Sequence, residues 1–114
     1  MAGEYDSQHD LTIKVLTLEG TLALTMTFPP RETISIGRSS ESDVWLANFG
    51  QHISRCHAAI LNDGDHWEYY SLGVNGTFRD GSRIDMLTIK SGLSLRLGKS
   101  GPILQFSLPE PECS

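Results

Sequence analysis

Apolar and polar residues alternate along most of the chain in short runs, and turn residues break those runs every few positions. In Leu11-Thr12-Ile13-Lys14-Val15-Leu16-Thr17-Leu18 the apolar side chains recur on alternate positions over most of the run, the period of a β-strand with one face turned to a core. Glu19-Gly20 turns this run into a second one from Thr21 to Phe28, so a hairpin is expected. Pro29-Pro30 ends it, because proline offers no N–H to a ladder, and Thr33-Ile34-Ser35-Ile36 restarts the pattern before Gly37. Further segments follow at Asp43–Leu46, Ala58–Leu61, His66–Tyr70, Thr77–Arg79, Arg83–Ile84, Leu93–Leu97 and Ile103–Leu108, with Asn62-Asp63-Gly64-Asp65, Asn75-Gly76, Asp80-Gly81 and Ser91-Gly92 as turns. No helical period separates them. The pattern predicts an all-β, two-sheet antiparallel β-sandwich of about ten or eleven short strands.

The length of 114 residues suits one domain. Residues 1–10 and 109–114 are expected to be flexible ends around a domain at 11–108, the second end being rich in Pro and Glu. A domain of this size buries roughly two-thirds of its unfolded surface and needs no staples. Cys56 and Cys113 are therefore read as free thiols in a reducing, cytoplasmic setting, or a nuclear one in a eukaryote. Nine Lys and Arg against 14 Asp and Glu give a net charge of −5, which argues against a nucleic-acid backbone as partner. The longest apolar runs are too short for a membrane span, and the first twenty residues lack the apolar core of a secretory signal.

Loops of a sandwich are where distant polar residues converge. Three clusters carry chemistry: Gly37-Arg38-Ser39-Ser40, Ser54-Arg55-Cys56-His57-Ala58 and Gly73-Val74-Asn75-Gly76-Thr77. A guanidinium fork matches phosphate geometry, and six of the nine cations are arginines. Arg38 and Arg55 can supply two forks, and Ser54 a hydroxyl and an N–H from another direction. Asn75 carries both a donor and an acceptor, and its place before Gly76 suits an αL turn position. Cys56 and His57 are neighbours entering a strand, so their side chains point to opposite faces and cannot pair as nucleophile and base. A zinc site from His52, Cys56, His57 and His66 lacks a paired ligand spacing, so no metal or other cofactor is expected.

In order and spacing the three clusters, with Asp43-Val44-Trp45-Leu46 and Gly81, resemble the forkhead-associated (FHA) domain, a phosphothreonine-binding module with an FHA/SMAD-like sandwich. The resemblance implies that Arg38, Ser54 and Arg55 hold a phosphate and that Asn75 holds the peptide backbone beside it. It makes His57 a buried brace between the loops, with Gly37, Gly76 and Thr77 as structural support. Gln51, His52 and Asn48 would select a side chain downstream, and Val74 would line a recess for the threonine methyl. Two departures are Val74 where many members carry Ser or Thr, and Ser71 where an acidic residue often opens the loop.

The expected protein is a non-enzymatic, monomeric module for phosphothreonine segments of a partner, or of its own chain, in kinase-dependent signalling. A second reading is a degenerate sandwich making phosphate-independent protein contacts, anchored by Trp67, Tyr69 or Tyr70 if these are exposed. An enzyme is disfavoured, since no Gly-x-Ser-x-Gly, metal-ligand pair or P-loop is present.

Overall fold

The computed structural model describes residues 9–50, 52–64 and 66–109, so Gln51, Cys113 and most of the two ends expected to be flexible lie outside the described residues. Eleven strands follow in chain order: β1 (Leu11–Leu16), β2 (Leu22–Phe28), β3 (Thr33–Gly37), β4 (Val44–Trp45), β5 (Ala58–Asn62), β6 (Trp67–Ser71), β7 (Thr77–Arg79), β8 (Ser82–Ile84), β9 (Met86–Thr88), β10 (Ser94–Leu97) and β11 (Ile103–Ser107). They form a six-stranded sheet of order β2-β1-β11-β10-β7-β8 and a five-stranded sheet of order β4-β3-β5-β6-β9.

The period-two pattern is what packs the two layers. Leu11, Ile13 and Val15 of β1, Leu95 and Leu97 of β10, and Leu104 and Phe106 of β11 are buried from one sheet. Ile34 and Ile36 of β3, Ala58 and Ile60 of β5, and Trp67 and Tyr69 of β6 meet them from the other. Tyr69 and Phe106, from opposite sheets, make an edge-to-face pair with ring centroids 6.1 Å apart. Full burial of such a side chain contributes about 1.5–3 kcal/mol, so this interior is the main stabilising term.

Several expectations are corrected. Trp67 and Tyr69 are core residues, so neither can anchor a partner, and Tyr70 is half-buried. β1 stops at Leu16 because Thr17 already opens the turn, its carbonyl accepting the Gly20 N–H at 2.8 Å. The strand Met86–Thr88 was not anticipated: only Asp85 separates it from β8, yet it lies in the other sheet against β6. The β3–β4 pair is parallel. Among the described residues a single 3-10 turn, Ala47–Phe49, interrupts the strands.

Asp80-Gly81, both at positive φ (51° and 85°), form a two-residue type I′ hairpin between the paired residues Arg79 and Ser82. Asn75 does not occupy an αL position: in its turn only Gly76 has positive φ, 77°.

Candidate functional site

Strand order brings the β3–β4, β4–β5, β6–β7 and β10–β11 connections to the same end of the sandwich. Backbone hydrogen bonds stitch the first two together. Arg38 N–H donates to the Ser54 carbonyl (3.0 Å), Ser39 N–H to that of Arg55 (3.2 Å), and His57 N–H to that of Ile36 (2.9 Å). This close approach explains Gly37, where a Cβ would overlap the Arg55 carbonyl oxygen. The β3–β4 loop is closed at its far end by a reciprocal pair. Asp43 Oδ2 accepts from the Ser35 N–H (2.9 Å) and hydroxyl (3.2 Å), and the Asp43 N–H donates to Ser35 Oγ (2.9 Å). The exposed Trp45 indole adds a bond from its N–H to the Arg38 carbonyl at 3.0 Å.

On this frame Arg38, Arg55 and Ser54 come together. Arg38 is exposed, and its Nε donates to the Ile53 carbonyl at 3.0 Å, which fixes the stem and leaves its terminal nitrogens without a partner among the described residues. Arg55 is also exposed. Neither forms an ion pair among the described residues, where Arg31 and Asp43 make the one salt bridge, at 3.4 Å. Ser54 Oγ accepts from the Val74 N–H at 3.3 Å, so the hydroxyl proton remains available to a ligand.

The β6–β7 loop is held from beneath by His57. Its Nδ1 accepts the Ser54 N–H at 3.0 Å, so Nε2 carries the proton and donates to the Gly76 carbonyl at 2.9 Å. Both ring nitrogens are thus occupied, and the ring cannot serve a metal. Burial pushes its pKa below the ordinary 6.5, against the opposing pull of the Gly76 carbonyl. Gly73 lies against the ring face: a Cβ there would sit 2.6 Å from Nδ1. Nothing in the spacing flags Gly73, because its neighbour is sixteen positions away in the chain.

Thr77 packs and braces. The Tyr69 hydroxyl donates to Thr77 Oγ1 (2.8 Å), which passes its own proton to Ser71 Oγ (3.0 Å). Ser71 is therefore part of a brace between the sheets, made of hydroxyls where an acidic residue was the family expectation. Burial keeps the Tyr69 phenol protonated, raising its pKa despite the Thr77 bond.

Asn75 and Val74 form the outer lip, both exposed, with Val74 at 84% of its free accessibility. The Asn75 Nδ2 donates to the His52 carbonyl at 2.8 Å, bridging the second and third loops and leaving the amide oxygen without a partner among the described residues. Beyond them lies a recess of about 360 Å³ lined by His52, Val74, Asn75, Arg83 and Lys99 among others. Arg83 and Lys99 were missed from sequence. Arg83 reaches the loop only because the β7–β8 hairpin folds back on it, its Nη2 donating to the Val74 carbonyl at 3.2 Å. Asn48, in the 3-10 turn, is exposed. Among the described residues, Asp63, His66 and Glu68 place one ligand atom each within 4.8 Å of one another. That group sits at the β5–β6 hairpin, remote from the loops, where Asp63 accepts the His66 N–H and Glu68 accepts the Thr88 hydroxyl.

A sandwich whose Gly-Arg, Ser-Arg-x-His and Asn-Gly loops meet at one end over a buried histidine defines a class, and the sequence profile of the FHA domain matches residues 34–98. The chain belongs to the FHA domain family. Solved structures agree in fold. FHA-1 of Mycobacterium tuberculosis Rv1747 is 25% identical, with a TM-score of 0.71 over 88% of this chain and 98% of that one. The FHA domain of an Arabidopsis thaliana hypothetical protein is 19% identical, with a TM-score of 0.74 over 100% of this chain and 98% of that one. Mycobacterium tuberculosis EmbR, solved in complex with a low-affinity phosphopeptide, is 20% identical, with a TM-score of 0.65 over 90% of this chain and 26% of that one. No curated protein matches by sequence. FHA domains are recognition modules known for binding phosphothreonine peptides. Among the described residues no helix is long and apolar enough to cross a membrane.

Proposed function

We propose that this chain is a phosphothreonine-recognition module that docks a phosphorylated segment of a partner protein, or of its own chain, as a monomer and without chemistry of its own. The observation that carries this reading is the pair of exposed guanidiniums, Arg38 and Arg55. They lie on two loops stitched by backbone hydrogen bonds, beside a serine whose hydroxyl proton is unspent, with no carboxylate paired to either among the described residues. A phosphothreonine brings about −1.5 to −2 charges and three acceptor oxygens, the complement of two forks and a hydroxyl.

In this reading Arg38, Ser54 and Arg55 hold the phosphate. The Asn75 amide oxygen, without a partner among the described residues, accepts a backbone N–H of the peptide. Val74 lines the recess for the threonine methyl, worth roughly 0.8 kcal/mol or a few-fold in affinity. His52 and Asn48, with Arg83 and Lys99, face the residues that follow, and Gln51 is assigned to the same selection by its place in the sequence. Micromolar affinity, about −8 kcal/mol, is expected, because a few charged contacts must offset the ordering of a flexible peptide. The net charge of −5 does not oppose this, since distant carboxylates are screened beyond about 8 Å.

Fluorescence anisotropy with a degenerate phosphothreonine peptide library, beside its unphosphorylated and phosphoserine twins, tests the reading. Phosphothreonine peptides should bind most tightly, and more weakly as salt rises. Equal binding of phosphorylated and bare peptides would instead favour phosphate-independent contacts.

A further inference from the structure

The outer face of the six-stranded sheet is not uniformly polar. Pairing across four strands aligns Ile103 of β11, Arg96 of β10, Phe78 of β7 and Arg83 of β8 in one row. On the apolar side of Ile103 the row continues to Leu16 and then Leu22, which is 54% exposed. The row thus runs from aliphatic residues to an aromatic flanked by two arginines. A hollow of about 520 Å³ opens on it, with Phe78 and Ile103 as its apolar floor, Ser94, Arg96 and Lys99 around it and Asp80 as its one carboxylate. None of Arg83, Arg96 and Lys99 forms an ion pair among the described residues. The exposed Arg83 and Lys99 and the half-buried Arg96 around an apolar floor, on a chain whose net charge is −5, mark a place where the charge balance is locally reversed.

The hollow is also continuous with the loop site. Phe78 and Lys99 line both it and the smaller recess beside Asn75. A ligand leaving Asn75 along that recess meets the hollow next. We propose that this hollow is a second docking point for the same phosphorylated chain, and that it takes an acidic segment carrying one aromatic or large aliphatic side chain. The apolar side chain lies on Phe78 and Ile103, and the flanking carboxylates face Arg96 and Lys99. The inference rests on the phosphopeptide reading above and adds to it a second, phosphate-independent contact outside the loops. An extended linker rises roughly 3.3 Å per residue, so six residues reach up to about 20 Å.

The test uses the whole 114-residue chain. The tightest nine-residue phosphothreonine peptide from the library is extended, at either end, by a six-residue Gly-Ser linker and the segment Asp-Glu-Phe-Asp-Glu. The matched controls carry Lys-Lys-Phe-Lys-Lys or Asp-Glu-Gly-Asp-Glu. Tethering supplies an effective concentration of the order of millimolar, so even a weak second contact gives a gain of about fivefold. The acidic phenylalanine extension should show that gain at one end of the peptide, and both controls should lack it. Arg96→Glu should abolish the gain and Arg96→Gln reduce it, both leaving the unextended peptide's affinity unchanged. The free Asp-Glu-Phe-Asp-Glu peptide at millimolar concentration should shift the NMR resonances of Phe78 and Ile103. Phosphate dependence with no gain from the extension, or a gain that survives Arg96→Glu, would overturn the second docking point alone. Loss of phosphate dependence in the unextended peptides would overturn the phosphopeptide reading and the two-point mode with it. Dilution-dependent shifts of Phe78 and Ile103 without peptide would assign the face to a second copy of the chain and likewise overturn the proposal.

Discussion

The two halves of the loop end are built on different principles. The Arg38 and Ser54–Arg55 loops are joined main chain to main chain, as an extension of the β3–β5 ladder, so their spacing follows from the sheet itself. The Gly73–Gly76 loop is attached largely through side chains: His57 to Gly76, Ser54 to Val74 and Asn75 to His52. It also has main-chain bonds from Leu72 and Gly73 to the His57 carbonyl, so one residue carries both kinds of support. The half that offers charge therefore owes its spacing mainly to the ladder, with Asp43, Trp45 and His57 as side-chain braces, and the half that offers the amide leans more heavily on one buried imidazole.

That difference orders the expected effects. His57→Ala strikes where the two halves meet, since it leaves the Ser54 N–H unpaired, takes from the Gly76 carbonyl one of its two donors, the Gly98 N–H remaining at 2.8 Å, and empties a buried volume. The stranded N–H costs about 1–3 kcal/mol and the cavity adds to it, so a loss of about 3 kcal/mol and a melting temperature lower by roughly 10 °C or more are expected, together with weaker peptide binding. Thermal unfolding followed by circular dichroism reads the first and anisotropy the second; an unchanged melt would remove the bracing role.

Gly73→Ala pushes a methyl into the same ring from the other side and should cost about 2 kcal/mol, within the range for overpacking. Denaturant titration checks it. Arg38→Ala belongs to the other half: affinity for the phosphothreonine library peptides should fall about tenfold or more, as one charged contact is worth over 1.4 kcal/mol, while the melting temperature stays within error. A parallel fall in melting temperature would mean that the side chain supports the fold.

The comparison also has a pH signature. His57 is neutral in the folded protein because burial lowers its pKa, so its contribution to stability is complete above 6.5, the ordinary value in the unfolded chain. As pH falls below 6.5 the unfolded state gains a proton that the folded state does not accept, and stability declines by at most about 1.4 kcal/mol per pH unit from this group until the folded pKa is passed. Urea unfolding of the native chain and of His57→Ala between pH 7 and 5 should differ in slope, with the variant flatter. The smallest change is Ser54→Ala. It removes the 3.3 Å bond from the Val74 N–H, worth under about 1 kcal/mol, and one contact to the ligand, for a few-fold loss of affinity.

How much of this was legible beforehand depends on how local the cause is. The alternation in β1, β3, β5 and β11, and the stops at Pro29-Pro30 and Gly20, are properties of neighbouring residues, so those strands and the two-layer class could be read directly. The same alternation, Trp67-x-Tyr69, marks two inward aromatics, but inward has no meaning until a second sheet exists to face. β9 escaped because a strand of three residues separated from β8 by Asp85 has no punctuation of its own; pairing with β6 defines it. At the loops, the motif residues Arg38, Ser54, Arg55, His57 and Asn75 were identifiable by type and spacing, and the fold brings them to one end.

Amino-acid order alone determined the strand period, the turns and the stock of guanidiniums, since each depends on residues within a few positions. Only the tertiary structure decided that Asn75 spends its N–H on His52, that Gly73 must clear the His57 ring, and that Arg83 and Lys99 flank the recess. Those are contacts between segments brought together by burial of a shared core, and burial acts through space without regard to separation along the chain.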